Sequence, residues 1–217
     1  MKARYTALCL GAVLLFGVCG TAGAQGASVR PDLGSPETID NWILDGSGEW
    51  QVLDGKLVLA KAGTVSGEIH RPAALAILKT EPFLRVTVET QLRMTAPLDS
   101  IRRDLTVIFG YESPTRFYYA HFGGITDAGN NGIFLVDAAD RRRIDPATAE
   151  PQLTDQDWHR VRLERDGSTG KIDVYVDDSE TPVFSTVDST IRSGRVGLGS
   201  LNDIGEFRDI VVTGSRD

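Results

Sequence analysis

The stretch Asp104–Phe122, DLTVIFGYESPTRFYYAHF, contains two runs of strand-like sequence joined by a polar connection. In the first run, 105–111, apolar or aromatic side chains occupy every odd-numbered position, and the second run, 116–122, is rich in aromatic residues. Such alternation of β-branched and aromatic residues is typical of strands. The connection Glu112–Thr115 contains a proline, which suits a hairpin turn. The stretch therefore predicts an antiparallel strand pair near the middle of a sheet.

Short strands separated by turn residues recur along the rest of the chain. The alternation is clearest in Phe83–Met94 and Trp158–Arg165, and Asp54-Gly55 is a two-residue hairpin signal between two short runs. Residues 66–78 fit either one helical turn or the entry to a strand. Roughly eleven strands without an amphipathic helix predict an all-β fold, either a sandwich or a barrel.

The first 24 residues have the three parts of a secretory signal peptide. Lys2 and Arg4 give a positive start, Ala7–Val18 is apolar, and Ala22–Ala24 is a small-residue cleavage site. The apolar run is too short for a membrane span. The alternative is a lipoprotein acylated at Cys19, although the preceding valine is bulkier than such signals usually tolerate. The sequence therefore predicts a secreted or periplasmic protein.

The remaining chain is interpreted as a lead-in followed by one domain. Residues 25–36 are small, polar and proline-bearing, which predicts a flexible segment. Residues 37–217 contain no linker and no repeat of fixed period, and they are numerous enough for one hydrophobic core. We therefore predict a single β-sandwich domain over 37–217.

Composition argues against several partners and chemistries. Both cysteines, Cys9 and Cys19, lie in the predicted signal peptide, so the mature chain would have no disulfide, thiol nucleophile or cysteine metal site. Loss of Lys2 and Arg4 with that peptide changes the formal net charge from −7 to −9. This acidic balance argues against nucleic acid or an anionic membrane as partner, because both require a basic face. No second apolar segment is long enough to span a bilayer.

Four segments in the last third of the chain carry a resemblance to a known family. They are WHRVRL at 158–163, KIDVYVD at 171–177, GRVGL at 194–198 and FRDI at 207–210. With the aromatic central hairpin, this pattern resembles the concanavalin A-like lectin/glucanase jelly rolls, and within them the 3-keto-disaccharide hydrolase-like and laminin-G-like domains. The resemblance implies a jelly-roll sandwich whose concave sheet carries a groove that binds or cleaves glycans.

The resemblance leaves the activity open, because the same fold hosts lectins, hydrolases, lyases and adhesion modules. Laminarinase-type members carry an E-x-D-x-x-E run that directs three carboxylates into the groove, and this chain has no such run. Glu68, Glu89 and Glu112 stand alone in the sequence. The two-carboxylate mechanism of retaining glycosidases therefore has no local motif here, and the sequence does not decide whether the protein is an enzyme.

Two side chains of the central hairpin are the candidates for catalysis. If Tyr118, Ala120 and Phe122 face the core, His121 faces outward into the groove, where it could act as a general base or bind a sugar hydroxyl. Asp104, at the start of the same hairpin, is the second candidate and would occupy an outward position on an adjacent strand. The alternative for His121 is a solvated or hydrogen-bonded sheet histidine.

Five further residues are candidates for substrate binding. Tyr111 and Tyr119 could stack on sugar rings, although core packing would also explain them. Gln91 and Arg93 could hydrogen-bond to vicinal hydroxyls or a uronate, and Arg71 lies in a polar loop. The alternative for Arg93 is a weak cross-strand ion pair.

Charged clusters give weaker signals. The basic run Arg141–Arg143 suits either an acidic glycan or a solvated loop. The three histidines lack the spacing of metal ligands, so zinc is not predicted. Calcium is common in the fold that the sequence resembles, and Asp177, Asp178 and Asp209 are candidate ligands. Because no loop has a dedicated calcium spacing, we predict no metal or other cofactor and leave calcium as the alternative.

Together these observations predict a secreted carbohydrate-active domain that binds a glycan in the groove, with hydrolysis left open. The alternative is a non-catalytic glycan-recognition or adhesion module of the cell envelope, and a third option is an envelope protein whose groove carries no ligand. A hydrolase would show a pocket with an acid–base pair of perturbed pKa, whereas a binding module would show an open aromatic platform.

Overall fold

The computed structural model describes residues 26–64, 67–100 and 103–216. The predicted signal peptide, 1–24, lies outside these ranges. Within them the chain forms fifteen strands and one 3-10 helix, Pro36–Asn41. The part of the chain that the structure describes has no helix of sufficient length and apolarity to cross a membrane.

The strands range from two to eleven residues in length. Ala74–Leu78, which the sequence left open between a helical turn and a strand, is a strand. The bounds are β1 Ala27–Val29, β2 Trp42–Gly46, β3 Glu49–Leu53, β4 Lys56–Lys61, β5 Ala74–Leu78, β6 Arg85–Met94, β7 Asp104–Ser113, β8 Arg116–Gly123, β9 Gly132–Asp137, β10 Arg142–Arg143, β11 His159–Asp166, β12 Lys171–Val176, β13 Phe184–Val187, β14 Arg195–Ser200 and β15 Gly205–Ser215.

The strands form two antiparallel sheets. The seven-stranded sheet has the order β10-β9-β8-β7-β14-β5-β2. The eight-stranded sheet has the order β13-β12-β11-β6-β15-β4-β3, with β1 paired to β15. Strands that are consecutive in the chain, such as β6 and β7, lie in different sheets, so the chain crosses repeatedly between the two layers. This architecture confirms the predicted all-β, two-sheet antiparallel jelly-roll sandwich.

The main core lies between the two sheets and is built by period-two alternation. Val88 and Leu92 of β6 belong to it, as do Tyr118, Ala120 and Phe122 of β8. The residues between them on each strand point to the other side of the sheet, because successive side chains of a strand alternate between its faces. The alternation seen in the sequence of both strands therefore separates core-facing from outward-facing residues, and Tyr118, Ala120 and Phe122 do face the core.

Part of the predicted lead-in belongs to a sheet. β1 pairs with residues 212–214 of β15, and Val29 packs against the main core. The 3-10 helix follows at Pro36. Residues 25–36 are therefore not a lead-in throughout, because three of them extend the eight-stranded sheet.

A β-bulge in β7 changes the side to which Tyr111 points. Gly110 has a φ of 58°, in the left-handed region that favours glycine, and the register of β7 against β8 shifts between Phe109 and Ser113. Tyr111 therefore packs beside Ile108 on the face away from the core, although Phe109 faces the core.

The seven-stranded sheet carries a second apolar cluster on the face that points away from the core, called here the outer face. Every member is at most 6% exposed, although this face was predicted to be an open groove. The members of the second apolar cluster are Leu75, Ile77, Ile108, Tyr111, Phe117, Tyr119, Phe134, Val136 and Leu201.

The segment 67–73, called here the strap, lies against this outer face. Ile69 packs against the second apolar cluster. The backbone N–H of His70 donates to Asp140 Oδ1 at 2.7 Å, and its carbonyl accepts from the N–H of Arg141 at 2.9 Å. The strap is thus tied to the loop before β10, and the described residues leave no open aromatic surface on the outer face.

Candidate functional site

The residues predicted to form one site lie on two different sheets. Asp104 and His121 are in the seven-stranded sheet, whereas Gln91 and Arg93 of β6 are in the eight-stranded sheet with their side chains pointing away from the core. The core separates the two groups, because β6 and β7 are consecutive in the chain but lie in different sheets. The expectation that Gln91 and Arg93 share a site with His121 is therefore wrong.

Arg93 and Gln91 belong to a polar network between strands of the eight-stranded sheet. Arg93 Nε donates to Glu206 Oε2 at 3.1 Å, and its guanidinium lies 4.9 Å from the ring centre of Trp158. Gln91 Nε2 donates to Asp209 Oδ2 at 2.9 Å. These contacts fit the alternative interpretation of Arg93 as part of a cross-strand ion pair.

His121 is fully buried, so its predicted role as an exposed general base is wrong. The backbone N–H of Asn131 donates to His121 Nδ1 at 2.8 Å, which leaves the hydrogen of the neutral ring on Nε2. Nε2 lies 3.8 Å from Asp104 Oδ2 and has no hydrogen-bond partner among residues 26–64, 67–100 and 103–216. A ring in this position can support the wall of a pocket but does not contact a ligand.

Tyr111 and Tyr119 are also buried, at 5% and 0% exposure, so the predicted stacking on sugar rings is wrong. Burial raises the pKa of both hydroxyls, that of Tyr111 to about 12. Core packing, the alternative interpretation, is what the structure shows for both rings. Arg71 lies in the strap, where it pairs with Asp45 at 3.1 Å.

A pocket of about 540 Å³ opens where several strand ends of the seven-stranded sheet meet. β7 begins at this edge with Asp104, β14 ends there at Ser200, and residues 124–131 connect β8 to β9. The cross-strand register places these ends together, because Thr106 pairs with both His121 and Gly199. The lining residues are Asp104, Asp127, Ala128, Gly129, Asn130, Arg141, Leu201 and Asn202.

Asp104 is the predicted site residue that the structure places in the wall of this pocket, where it is 1% exposed. Its Oδ1 accepts from Ser200 Oγ at 2.9 Å and from the N–H of Leu201 at 2.7 Å. Its own N–H donates to Asp203 Oδ2 at 3.1 Å. Burial, together with the charge of Asp104, raises the pKa of Asp203 to about 6. The carboxylate of Asp104 is thus held in a fixed orientation by the chain after β14.

The loop on the opposite side of the pocket is shaped by side-chain hydrogen bonds. Asp127 Oδ1 accepts from the N–H of Gly129 at 2.8 Å and from Asn130 Nδ2 at 2.7 Å. Arg143 donates to the carbonyl oxygens of Asp127, Asn130 and Asn131 at 2.6, 2.8 and 2.7 Å. One guanidinium therefore holds three carbonyls of the loop that lines the pocket.

Arg141 supplies the positive charge of the pocket. Its Nη1 donates to the hydroxyl of Tyr119 at 3.0 Å, and its guanidinium lies 5.0 Å from the ring centre of Phe134. No carboxylate of the described ranges forms an ion pair with it. The basic run 141–143 is therefore not simply a solvated loop, since Arg141 lines the pocket and Arg143 supports it.

Sequence reasoning did not identify most of these residues. The cluster of Gly, Asp and Asn at 123–131 and the three arginines at 141–143 were visible as turn and charge signals. Their proximity to Asp104 and to residues 201–202 arises from sheet pairing across tens to about a hundred positions, which no local pattern encodes.

The carboxylates named as calcium candidates contact other side chains. Asp177 Oδ2 lies 2.9 Å from His159 Nδ1, and Asp209 accepts from Gln91. Within the described ranges, no three His, Cys, Asp or Glu side chains converge as metal ligands would. The residues present therefore give no specific support to a calcium site.

The arrangement is suited to binding a ligand that carries many hydroxyls. Carboxylates accept hydrogen bonds, the guanidinium of Arg141 donates them, and the amides of Asn130 and Asn202 do both. Leu201 adds an apolar surface, and none of the described lining residues is aromatic. A concave site with a few convergent polar groups beside an apolar patch is the usual form of a small-molecule pocket.

Comparison with known proteins shows what this fold is similar to. No protein-family model matches the chain, and no curated protein matches it by sequence. The carbohydrate-binding module CBM66 from Bacillus subtilis superposes with a TM-score of 0.59 at 15% identity, covering 78% of this chain and 93% of that one. The metal-free carbohydrate recognition domain of Emp46p gives 0.58 at 14% identity, covering 86% and 95%.

A plant lectin is similar to the same extent. The winged bean acidic lectin, in complex with methyl-α-D-galactose, superposes with a TM-score of 0.59 at 12% identity and covers 88% of this chain and 99% of the lectin. At this level of identity the likeness is one of fold. The chain has the concanavalin A-like jelly-roll fold, as the sequence resemblance predicted.

Proposed function

We propose that the protein binds a carbohydrate in the pocket lined by Asp104, Asp127–Asn130, Arg141 and Leu201–Asn202. The observation that carries this proposal is that Asp104 and Arg141 line one pocket without forming an ion pair with each other. The guanidinium of Arg141 can hydrogen-bond to hydroxyls of a sugar ring, and the largely buried carboxylate of Asp104, whose side chain is 2% exposed, offers as an acceptor only the edge that lines the pocket.

Rigid support of these two groups favours binding. Two donors fix the carboxylate of Asp104, and the guanidinium of Arg141 rests on Phe134 and the hydroxyl of Tyr119. Groups that are already ordered lose little entropy when a ligand arrives. The site would therefore recognise its ligand mainly through hydrogen bonds, because the aromatic rings beneath it are covered.

The names of structures with the same fold support this proposal. They describe a carbohydrate-binding module, a carbohydrate recognition domain and a lectin bound to a galactoside. Because one fold hosts many functions, the likeness supports carbohydrate binding only in general terms. The specific support comes from the residues that line the pocket.

The test is a glycan-array screen of the chain without residues 1–24, followed by calorimetric titration of each hit. Arg141→Gln should weaken binding about tenfold or more, because it removes a charged hydrogen-bond donor. Asn202→Ala should weaken it less. The matched control is Arg160→Gln, an exposed arginine of the other sheet that should leave affinity unchanged. Equal loss in Arg141→Gln and the control, or no hit at all, would contradict the proposal.

Hydrolysis is the second candidate, and Asp203 is the observation that favours it. Its raised pKa of about 6 and its contact with Asp104 place a titrating carboxyl beside the pocket. Release of reducing sugar from a bound glycan, abolished in Asp203→Asn while binding is retained, would support an enzyme. Binding without release would support a recognition or adhesion module.

Export to the periplasm or the cell exterior is part of the same proposal. It is supported by the apolar run Ala7–Val18 and the cleavage site Ala22–Ala24 in the sequence. Expression of the full chain in a bacterial host, followed by N-terminal sequencing of the exported protein, should give a start at Gln25. Retention of Met1 in a cytoplasmic product would contradict export.

A further inference from the structure

A second pocket, of about 570 Å³, lies at the other end of the seven-stranded sheet. Arg195, the first residue of β14, lines it, whereas the carbohydrate pocket lies beyond Ser200, the last residue of that strand. The two pockets are therefore separated by the length of β14. The lining residues of the second pocket are Val29, Ile43, Lys79, Thr80, Glu81, Arg195 and Arg216.

Three basic residues from three separate segments line this second pocket, although the chain as a whole is acidic. Lys79 Nζ donates to the backbone carbonyl of Asp40 at 2.7 Å, and Arg195 Nε donates to the carbonyl of Thr80 at 2.7 Å. Within the described ranges neither cation forms an ion pair with a carboxylate. Glu81, which lines the same pocket, therefore does not form an ion pair with either of them.

The guanidinium of Arg195 is held in a way that leaves its outer edge available. The bond from Nε to the Thr80 carbonyl orients the group, and no other hydrogen bond from it is found in the part of the chain that the structure describes. Two terminal nitrogens of an arginine form the fork that matches oxyanions. The hydroxyl oxygen of Thr80, in the same wall, also has no partner within the described ranges.

We propose that this second pocket binds a sulfate or phosphate group. Cations that approach from Lys79, Arg195 and Arg216 suit a tetrahedral oxyanion, which offers at least three acceptor oxygens, better than a planar carboxylate. Glu81 is the one acidic residue among the described lining residues and opposes the cations. The group is either a free inorganic ion or an ester on a small organic molecule, whose apolar part would contact Val29 and Ile43.

The experiment is a titration of the isotope-labelled protein followed by amide chemical shifts, at constant ionic strength set with chloride. The probes are inorganic phosphate, inorganic sulfate, phenyl phosphate and, as the uncharged comparison, phenol. Saturable shifts confined to the amides around residues 79–81 and 195 are expected with the oxyanions and not with phenol. Tighter binding of phenyl phosphate than of inorganic phosphate would identify an ester as the ligand, and the reverse order would identify the free ion.

Variants distinguish binding at this specific pocket from non-specific attraction of anions to positive charge. Lys79→Gln and Arg195→Gln should each weaken binding about tenfold, and Glu81→Gln should strengthen it. Arg160→Gln makes the same charge change on the other sheet and should alter affinity by less than about twofold. Because Lys79 is exposed, its variant remains informative even if Arg195→Gln unfolds. Shifts that do not saturate, or equal weakening by Arg160→Gln, would overturn the proposal. Glycan binding at the first pocket is a separate measurement and is unaffected by either result.

Discussion

Replacement of Arg143 by leucine should destabilise the protein strongly and disorder the wall of the pocket that Asp104 and Arg141 line. The side chain of Arg143 is 10% exposed, and it pairs with Asp145, which is 1% exposed, at 3.1 Å. It also donates to three carbonyls of the loop 127–131. Leucine is shorter than arginine and has no donor, so these buried acceptors would lose their hydrogen-bond partner.

The expected loss follows from the contacts. A hydrogen bond to a charged group contributes about 1.5–3 kcal/mol, but the bonds of one guanidinium are not independent and do not sum. Removal of one partner from a buried ion pair typically costs about 3–5 kcal/mol, because the other charge remains unpaired. We therefore expect the free energy of unfolding to fall by about 3–5 kcal/mol in Arg143→Leu.

Urea unfolding, with an unchanged slope against denaturant, measures this loss. Two further variants test its cause. Arg143→Lys keeps the charge but has no fork, so it should show a smaller loss. Adding Asp145→Asn to Arg143→Leu removes the stranded charge, while the amide oxygen can still accept the N–H of Ile133, and should recover part of the stability.

Hydrogen exchange locates the effect. The amides of 130–132 should exchange faster in Arg143→Leu, since the loop loses its support. The exposed pair Arg160 and Asp178 provides the control, and Arg160→Leu should leave the unfolding midpoint nearly unchanged. A loss below about 1 kcal/mol for Arg143→Leu, within the range of ordinary surface substitutions and their scatter, would refute the role of this guanidinium.

Three other predictions concern pH and backbone. Burial lowers the pKa of His159, but hydrogen bonds with Asp177 and Asp155 raise it above the ordinary value overall. The protonated ring therefore stabilises the folded state fully at about pH 5, and this stabilisation is lost as pH rises through the raised pKa. Urea unfolding should show the loss in wild type and not in His159→Gln. Asp203, with its pKa raised to about 6, favours the folded state when it is protonated. Asp203→Asn should therefore be more stable than wild type at about pH 8 but not at about pH 4. An equal stability difference between the variant and wild type at both pH values would contradict the assignment. Gly110→Ala should lower the free energy of unfolding by about 1–2 kcal/mol, because φ is positive there, and a thermal midpoint equal to that of wild type would contradict this.

The fold could be predicted because its signals are local and repeated. Alternation along β6 and β8 fixes which side chains face the core, since a strand exposes alternate residues on opposite faces. The same rule placed Tyr119 and His121 on the side away from the core, and the structure agrees about that side. It could not tell that this side is covered, because the strap and the loop before β10 are distant in sequence.

Tyr111 shows where the pattern itself fails. Its odd-numbered position groups it with Phe109, but the bulge at Gly110 inserts a residue and reverses the side. A glycine within a strand pattern is a warning of such a bulge, although its position alone does not say which residues change face.

The sequence by itself determined the fold class, the signal peptide prediction and the inward faces of the main strands, because each depends on residues close together in the chain. The tertiary structure alone decided that Arg93 and His121 are on different sheets, that the outer face is covered, and that Asp104 and Arg141 line the same pocket. Those facts depend on which strands pair and where the chain crosses between layers. Strand pairing depends on the packing of the whole core, so residues about a hundred positions apart become neighbours although no local sequence pattern indicates it.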